Sequence, residues 1–296
     1  MTARLRALRP FLPAIGLGLL MLLASGLAES ASSRAGIRKT VENSMLVTGT
    51  IDIGADGTTT GHALDQPDKL PPVVRELVAK AATGFRFEPV LVEGKPAPVR
   101  AKMGLRVVAT RVDSGDYRLR VASASFDDDR AVKGEDVTSL HVVPPAYPPA
   151  AYRSGVAGTV YTVVKIDATG AVVDVAVEQT NLTVTGSESI MAQARSLLEK
   201  SAIDAARKWR FDVPTRGPKA AQASWSMRLP IDYILQDGAA GDPATPYGKW
   251  QAYVPGPRNH IPWISEEDNR ASPDALVAGA AHPVGDGPRL LTPLQG

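Results

Sequence analysis

The sequence predicts an α+β protein: two small modules, each an antiparallel sheet with a helix, behind an apolar leader and ahead of a Pro/Gly-rich tail. Three observations predict it. A strand–turn–strand–helix–strand pattern occurs twice, the mark of an internal repeat. The two copies keep step, with 16 residues from Phe87 to Met103 and 16 from Phe211 to Met227. From residue 236 onward this patterning stops, and 17 of the last 61 residues are Pro or Gly, a composition that predicts an extended, flexible tail.

Residues 1–28 read as a signal peptide or a membrane anchor. Arg4, Arg6 and Arg9 precede the apolar run from Phe11 to Ala24, which trails through Ser25, Gly26, Leu27 and Ala28. That is the order of a basic region, an apolar region and a small-residue cleavage site. Kept as a helix, the 18 residues from Phe11 to Ala28 would rise about 27 Å, just short of a ~30 Å hydrocarbon core. Either way the residues beyond 30 face away from the cytoplasm. Residues 29–44 form a polar linker whose 16 residues would span about 20–24 Å as a coil.

The first module occupies residues 45–112. Leu46 to Ile53 is β-like, Ala55-Asp56-Gly57 turns it, and Thr58 to Thr60 returns. Pro71 and Pro72 open a helix in which Val74, Leu77, Val78, Ala81 and Ala82 recur at helical spacing. Phe85 to Phe87, Leu91-Val92 and Val99 to Val108 read as strands, with a turn at Glu93 to Pro96. Residues 113–136 read as a linker.

The second module occupies residues 137–235. Gly158 to Asp167 and the run from Val172 to Val177 form a hairpin around Asp167-Ala168-Thr169-Gly170. Met191, Ala194, Leu198, Ala202, Ala205 and Trp209 share one helical face. Ala223 to Leu229 is the last strand. In it Trp225 and Met227 alternate with Ser224, Ser226 and Arg228, so the apolar pair is expected to face the helix.

Several functions are excluded or left without support. A net charge of +2 gives no basic field for nucleic acid. The absence of cysteine excludes disulfides, thiolate metal sites and cysteine nucleophiles. His62, His141, His260 and His282 show no metal-ligand spacing. The acidic run Asp127 to Asp129 lacks the glycine and final glutamate of a calcium loop. Gly155-Val156-Ala157-Gly158 lacks the third glycine of a dinucleotide loop. No catalytic, metal-binding or cofactor-binding residue is predicted.

The second module resembles the carboxy-terminal domain of the TonB family. Tyr147-Pro148, Ala150-Ala151, Gly155 and Gly158, the hairpin with its central Gly170, and the helix end Ile203 to Phe211 carry the likeness. Tyr147, Gly158, Gly170, Trp209 and Phe211 are the expected structural core. The first module reads as a degenerate copy that keeps Phe85-Arg86-Phe87 but has no Tyr-Pro step. The resemblance implies a periplasmic protein, held in the inner membrane or released by cleavage. It implies strand addition of an outer-membrane receptor peptide along Ser224, Trp225, Ser226, Met227 and Arg228, with Arg228 and Lys219 as charges that blunt the open edge. It also implies an inner-membrane proton-channel complex as a second partner. The long Pro-rich, Lys/Glu-rich spacer of that family is absent here, as is a histidine in the apolar leader. The alternative is therefore a periplasmic or secreted protein-binding module without motor coupling. The oligomeric state is open.

Overall fold

A computed structural model describes residues 41–128, 132, 134–235 and 247–294. The expected leader, and the linker up to residue 40, lie outside the described residues. Among those described, no helix is long and apolar enough to cross a membrane.

Strand β1 (Glu42–Ile53) buries Met45, Val47, Ile51 and Ile53 on one face, the period of two expected of a half-buried strand. The turn that follows is held by Asp56, whose Oδ1 accepts from the Thr58 amide (3.0 Å) and hydroxyl (2.7 Å). Strand β2 (Thr59–Leu64) then pairs back along β1. Helix α1 (Pro72–Gly84) starts with Pro72, whose missing N–H would have no helical partner there. It buries Val74, Val78 and Ala82 at steps of four. A small ladder, β3 (Leu91–Val92) with β4 (Lys95–Pro96), leads to β5 (Val99–Arg111), which pairs along the whole of β1 from Asn43 to Ile53.

Beyond β5 the structure departs from the expected linker. Residues Tyr117–Asp128 form β6, paired with β5 from Ala101 to Arg111. The pairing jumps between Arg106 and Val107, so two residues of β6 oppose one of β5. That bulge moves the core-facing set from Leu119 and Val121 to Ala124 and Phe126, leaves buried Ser123 opposite Arg106 on the other face, and breaks the alternation that would have marked the strand. Phe126 closes the core edge-on against Phe87 (centroids 4.8 Å) and Phe85 (5.8 Å).

In the second module β7 (Thr138–His141) comes first, followed by helix α2 (Pro149–Arg153) and the hairpin β8 (Gly158–Asp167) and β9 (Val172–Leu182). Helix α3 (Glu188–Ala206) lays Ala194, Leu198, Ala202 and Ala206 on the sheet. Trp209 sits just past its end, where its indole Nε1 donates to the Val143 carbonyl at 2.8 Å. Strand β10 (Arg210–Asp212) pairs with β7, and β11 (Ser224–Tyr233) runs antiparallel along β8.

The two modules share one construction. The strand order is β2-β1-β5 in the first and β9-β8-β11 in the second. Gly57 (φ +79°) and Gly170 (φ +78°) occupy left-handed turns, and a Cβ on either would come within 2.0 Å of a carbonyl oxygen, that of Phe87 and of Phe211 respectively. The Phe87 amide donates to Gly57 O at 2.8 Å and the Phe211 amide to Gly170 O at 2.9 Å.

The segment expected to be a flexible tail is docked from residue 247 onward. Strand β12 (Gln251–Tyr253) pairs with the start of β1. Helix α4 (Glu266–Arg270) follows, and Tyr253, Ile261, Asp274, Ala275 and Leu276 are buried. The last strand, β13 (His282–Pro283), lies on β11. Much of this docking is through main-chain groups, which composition and hydropathy do not reveal.

Candidate functional site

The predicted edge is β11. Its apolar alternation holds: Trp225 and Met227 are buried on the α3 side, while Ser224 and Ser226 are half-buried on the opposite side. Arg228 is not the exposed blunting charge it was expected to be. It is 8% exposed, and its Nε donates to Glu178 Oε2 at 2.8 Å and its Nη2 to the Asp268 carbonyl at 2.7 Å. Arg258 donates to the other Glu178 oxygen at 3.1 Å, so a fully buried carboxylate is held between two guanidiniums, the pairing that makes such burial tolerable. Lys219 is half-buried between Asp136 (2.6 Å) and Asp286 (2.5 Å).

The outer side of β11 is not empty. Met227 pairs with Pro283 and Arg228 with His282. The Val284 amide donates to Ser226 O at 3.0 Å and the Gly279 amide to Pro230 O at 3.1 Å. In antiparallel pairing, hydrogen-bonded and non-bonded residue pairs alternate. Ser226/Val284 and Arg228/His282 are thus the bonded pairs, which turns the N–H and C=O of Ser226 outward, away from β8. Met227/Pro283 is the non-bonded pair, so the N–H that proline lacks would have pointed off the far side of β13.

His282 fixes this segment from the side. It is 7% exposed, with Nδ1 2.7 Å from Asp127 Oδ2 on β6 and Nε2 3.0 Å from the Val277 carbonyl. Both contacts present acceptor oxygens to the ring, an arrangement that favours the doubly protonated imidazolium. Burial works against that charge, but Asp127 and the Val277 carbonyl outweigh it and raise the pKa above the ordinary histidine value.

The other edge of the sheet is covered as well. Val254 and Leu182 exchange amide–carbonyl bonds at 3.0 Å, and the Asn259 amide donates to Glu178 O at 2.8 Å. A buried clasp joins modules and tail: Asp274 accepts from Asn181 Nδ2 and from the Tyr253 hydroxyl, and its own carbonyl accepts Arg106 Nη2 at 2.8 Å. Burial, and then the neighbouring Asp274, keep Tyr253 protonated well past the ordinary phenol range. A cavity of about 230 Å³ borders Ser224 to Met227, and the Trp263 indole N–H on its wall is buried without a hydrogen-bond partner among the described residues.

The expected core residues lie in one module. Trp209 and Phe211 are 2% and 3% exposed. The Tyr147 hydroxyl donates to the Val156 carbonyl, and its ring meets Tyr233 edge-on at 5.5 Å. A Cβ on Gly158 would come within 2.2 Å of Asn181 O. Residues 143–235, which hold all five, match the family described as Gram-negative bacterial TonB protein C-terminal. The second module is a TonB C-terminal domain. Its relatives include proteins named Protein TonB from two strains of Xanthomonas campestris pv. campestris, each 39% identical over 101 residues, 34% of this chain. The aligned part is 39% of each relative's length, so the chain spans about two fifths of these TonB proteins. No solved structure matches the chain.

Outside this TonB domain, the residues that shape the edge were not singled out by sequence. Gly279, Pro283 and Val284 lie in the Pro/Gly-rich stretch, and His282 was one of four scattered histidines. The one available signal was the short β-compatible run Ala281-His282-Pro283-Val284 between Gly279 and Gly285.

Proposed function

We propose that this is a TonB-like periplasmic protein, anchored by its N-terminal segment or released from it. Its TonB domain binds an extended peptide of an outer-membrane transport receptor along the outer side of β11. One observation carries this reading: β11 pairs with β8 on one side only, and its other side already accepts an extended segment main chain to main chain. Such an edge gives affinity through its backbone and selectivity through alternate side-chain positions. The first module, with the same strand order and the same glycine–phenylalanine contact, is read as a degenerate second copy. Coupling to an inner-membrane proton-channel complex belongs to the same reading.

The test uses a synthetic peptide from the N-terminal segment of a TonB-dependent receptor, titrated calorimetrically. Ser226→Pro removes an outward N–H and leaves the β8 bonds of Trp225 and Met227 in place, so binding should be lost, while Ser226→Ala should bind as wild type. Wild-type affinity in a Ser226→Pro protein with an unchanged circular dichroism spectrum would overturn the edge assignment.

The clasp that ties both modules and the tail together, with at most 13 residues from 29 to 41 ahead of β1, favours a second reading, a binding module without motor coupling. Mapping the mature N-terminus separates the two. A soluble product beginning near Glu29 supports the uncoupled module, and retention of Met1 in the membrane fraction supports the transducer.

A further inference from the structure

Resting on β11 as the receiving edge, we propose that residues 277–294 are an internal strap that occupies this edge and must leave before a partner strand can add. In the resting chain the edge is closed.

The comparison within the molecule carries the argument. In each module the position beyond the third long strand is filled by the chain itself. In the first, β6 pairs with β5 along the whole of Ala101–Arg111, a permanent part of the sheet. In the second, β13 pairs with β11 only at Met227 and Arg228, flanked by single bonds to Ser226 and Pro230. Burial divides the tail at the same place. Tyr253, Ile261, Asp274, Ala275 and Leu276 are sunk among the two modules, whereas among the described residues beyond Leu276 only His282 and Pro288 are buried. The remaining ties run to the first module and the surface. Leu290 bridges Phe87, with the Glu88 amide donating to Arg289 O at 2.9 Å and the Leu291 amide to Arg86 O at 2.7 Å. Half-buried Leu290 and Leu294 pack on the first core, and Lys219–Asp286 and Arg289–Glu88 (3.4 Å) are ion pairs. Exposed pairs of this kind contribute little each.

The strap is also a poorer occupant than the edge allows. It stops at Ser226, leaving the beginning of β11 and the Trp263 indole beside it, which has no hydrogen-bond partner among the described residues, for a longer strand to reach. Pro283, with no N–H to offer outward, ends the sheet there, so the closed form gives no further strand a place to pair.

Two constructions test this. A chain ending at Leu276 should bind a synthetic peptide of residues 277–294 in trans, and should bind the receptor peptide at least tenfold more tightly than the full chain. In the second, Ser226→Cys with Val284→Cys ties the strap down in the otherwise complete protein, which has no native cysteine. A bonded antiparallel pair, with Cα atoms about 5.5 Å apart, lies within disulfide reach. The oxidised protein should bind receptor peptide at least tenfold more weakly than the reduced protein. Because the whole chain is kept, this answer stands even if the shortened chain fails to fold. Equal receptor-peptide affinity in oxidised and reduced forms would overturn the strap. Rebinding of the 277–294 peptide, with no receptor peptide bound by the shortened chain or the reduced pair, would leave the strap standing and overturn the receptor reading instead.

Discussion

Gly170 and Gly155 both sit at positive φ, +78° and +65°, yet they do different work. A Cβ on Gly170 would press on the Phe211 carbonyl at 2.0 Å, while one on Gly155 would meet nothing within 4 Å. Gly155→Ala should therefore cost only the left-handed backbone penalty of about 1–2 kcal/mol. Gly170→Ala should cost clearly more, because the strand after the helix has to move. Paired urea titrations read the difference, and equal midpoints would show that the turn is free to relax. His282 gives a second residue-scale expectation. Its folded pKa lies above the ordinary histidine value, raised by Asp127 on β6 and the Val277 carbonyl against the opposition of burial and of Arg228 on β11. The stabilisation is fully present below an ordinary pKa of about 6.5 and is lost as pH rises through the higher folded value. Raising the pH should move the Val284 amide resonance toward its position in the free 277–294 peptide, and Asp127→Asn should remove that dependence.

Among elements, α3 is the one whose seating holds the TonB domain together, and Trp209 just past its end is its largest anchor. Trp209→Ala should lower stability by about 3–5 kcal/mol. Trp209→Phe keeps a ring but forfeits the 2.8 Å bond to Val143 and should cost only about 1 kcal/mol beyond the lost volume. An unchanged denaturation midpoint for the alanine variant would refute this packing. The helices and the β8–β9 hairpin were legible because Val74, Val78 and Ala82, or Ala194, Leu198 and Ala202, repeat at the spacing the fold buries. Strand β6 was not, because its bulge puts buried Ser123 where an apolar residue would keep the alternation. Glu178 and Arg228 were unreadable for another reason. Each carries a charge that is ordinarily solvated, and its burial depends on partners distant in sequence: Glu178 on Arg228 and Arg258, Arg228 on Glu178 and the Asp268 carbonyl. The strand from Ser224 to Arg228 was legible from its alternation; what lies against its outer side was not, since Gly279 and Val284 bind through amides that every residue but proline possesses.

At the scale of the whole molecule, the stretch from 247 to 276 behaves as a brace rather than a tail. It pairs with β1 through β12, bonds the outer side of β9 at Leu182 and Glu178, and places Asp274 between Arg106 and Asn181. A chain ending at Leu235 should lose this brace, expose both edges of the TonB-domain sheet and aggregate on expression. One ending at Leu276 should keep a cooperative melt, since the buried residues of the brace remain. Light scattering and thermal melts of the two truncations check this, and indistinguishable behaviour would show that the brace contributes nothing to the fold.

The short run from buried Leu276 to the first strap bond at Gly279 makes the occupant of β11 a tethered competitor. Short flexible tethers hold their ends at effective concentrations of about 1 mM. A strap with an intrinsic dissociation constant of only about 0.1 mM would then fill the edge roughly ten times out of eleven, and would weaken any free peptide's apparent affinity about elevenfold. A stray peptide in dilute solution pays that factor in full. A receptor displayed many times over on one membrane recovers it through its own local concentration, so the strap sets a density threshold that separates crowded targets from isolated ones.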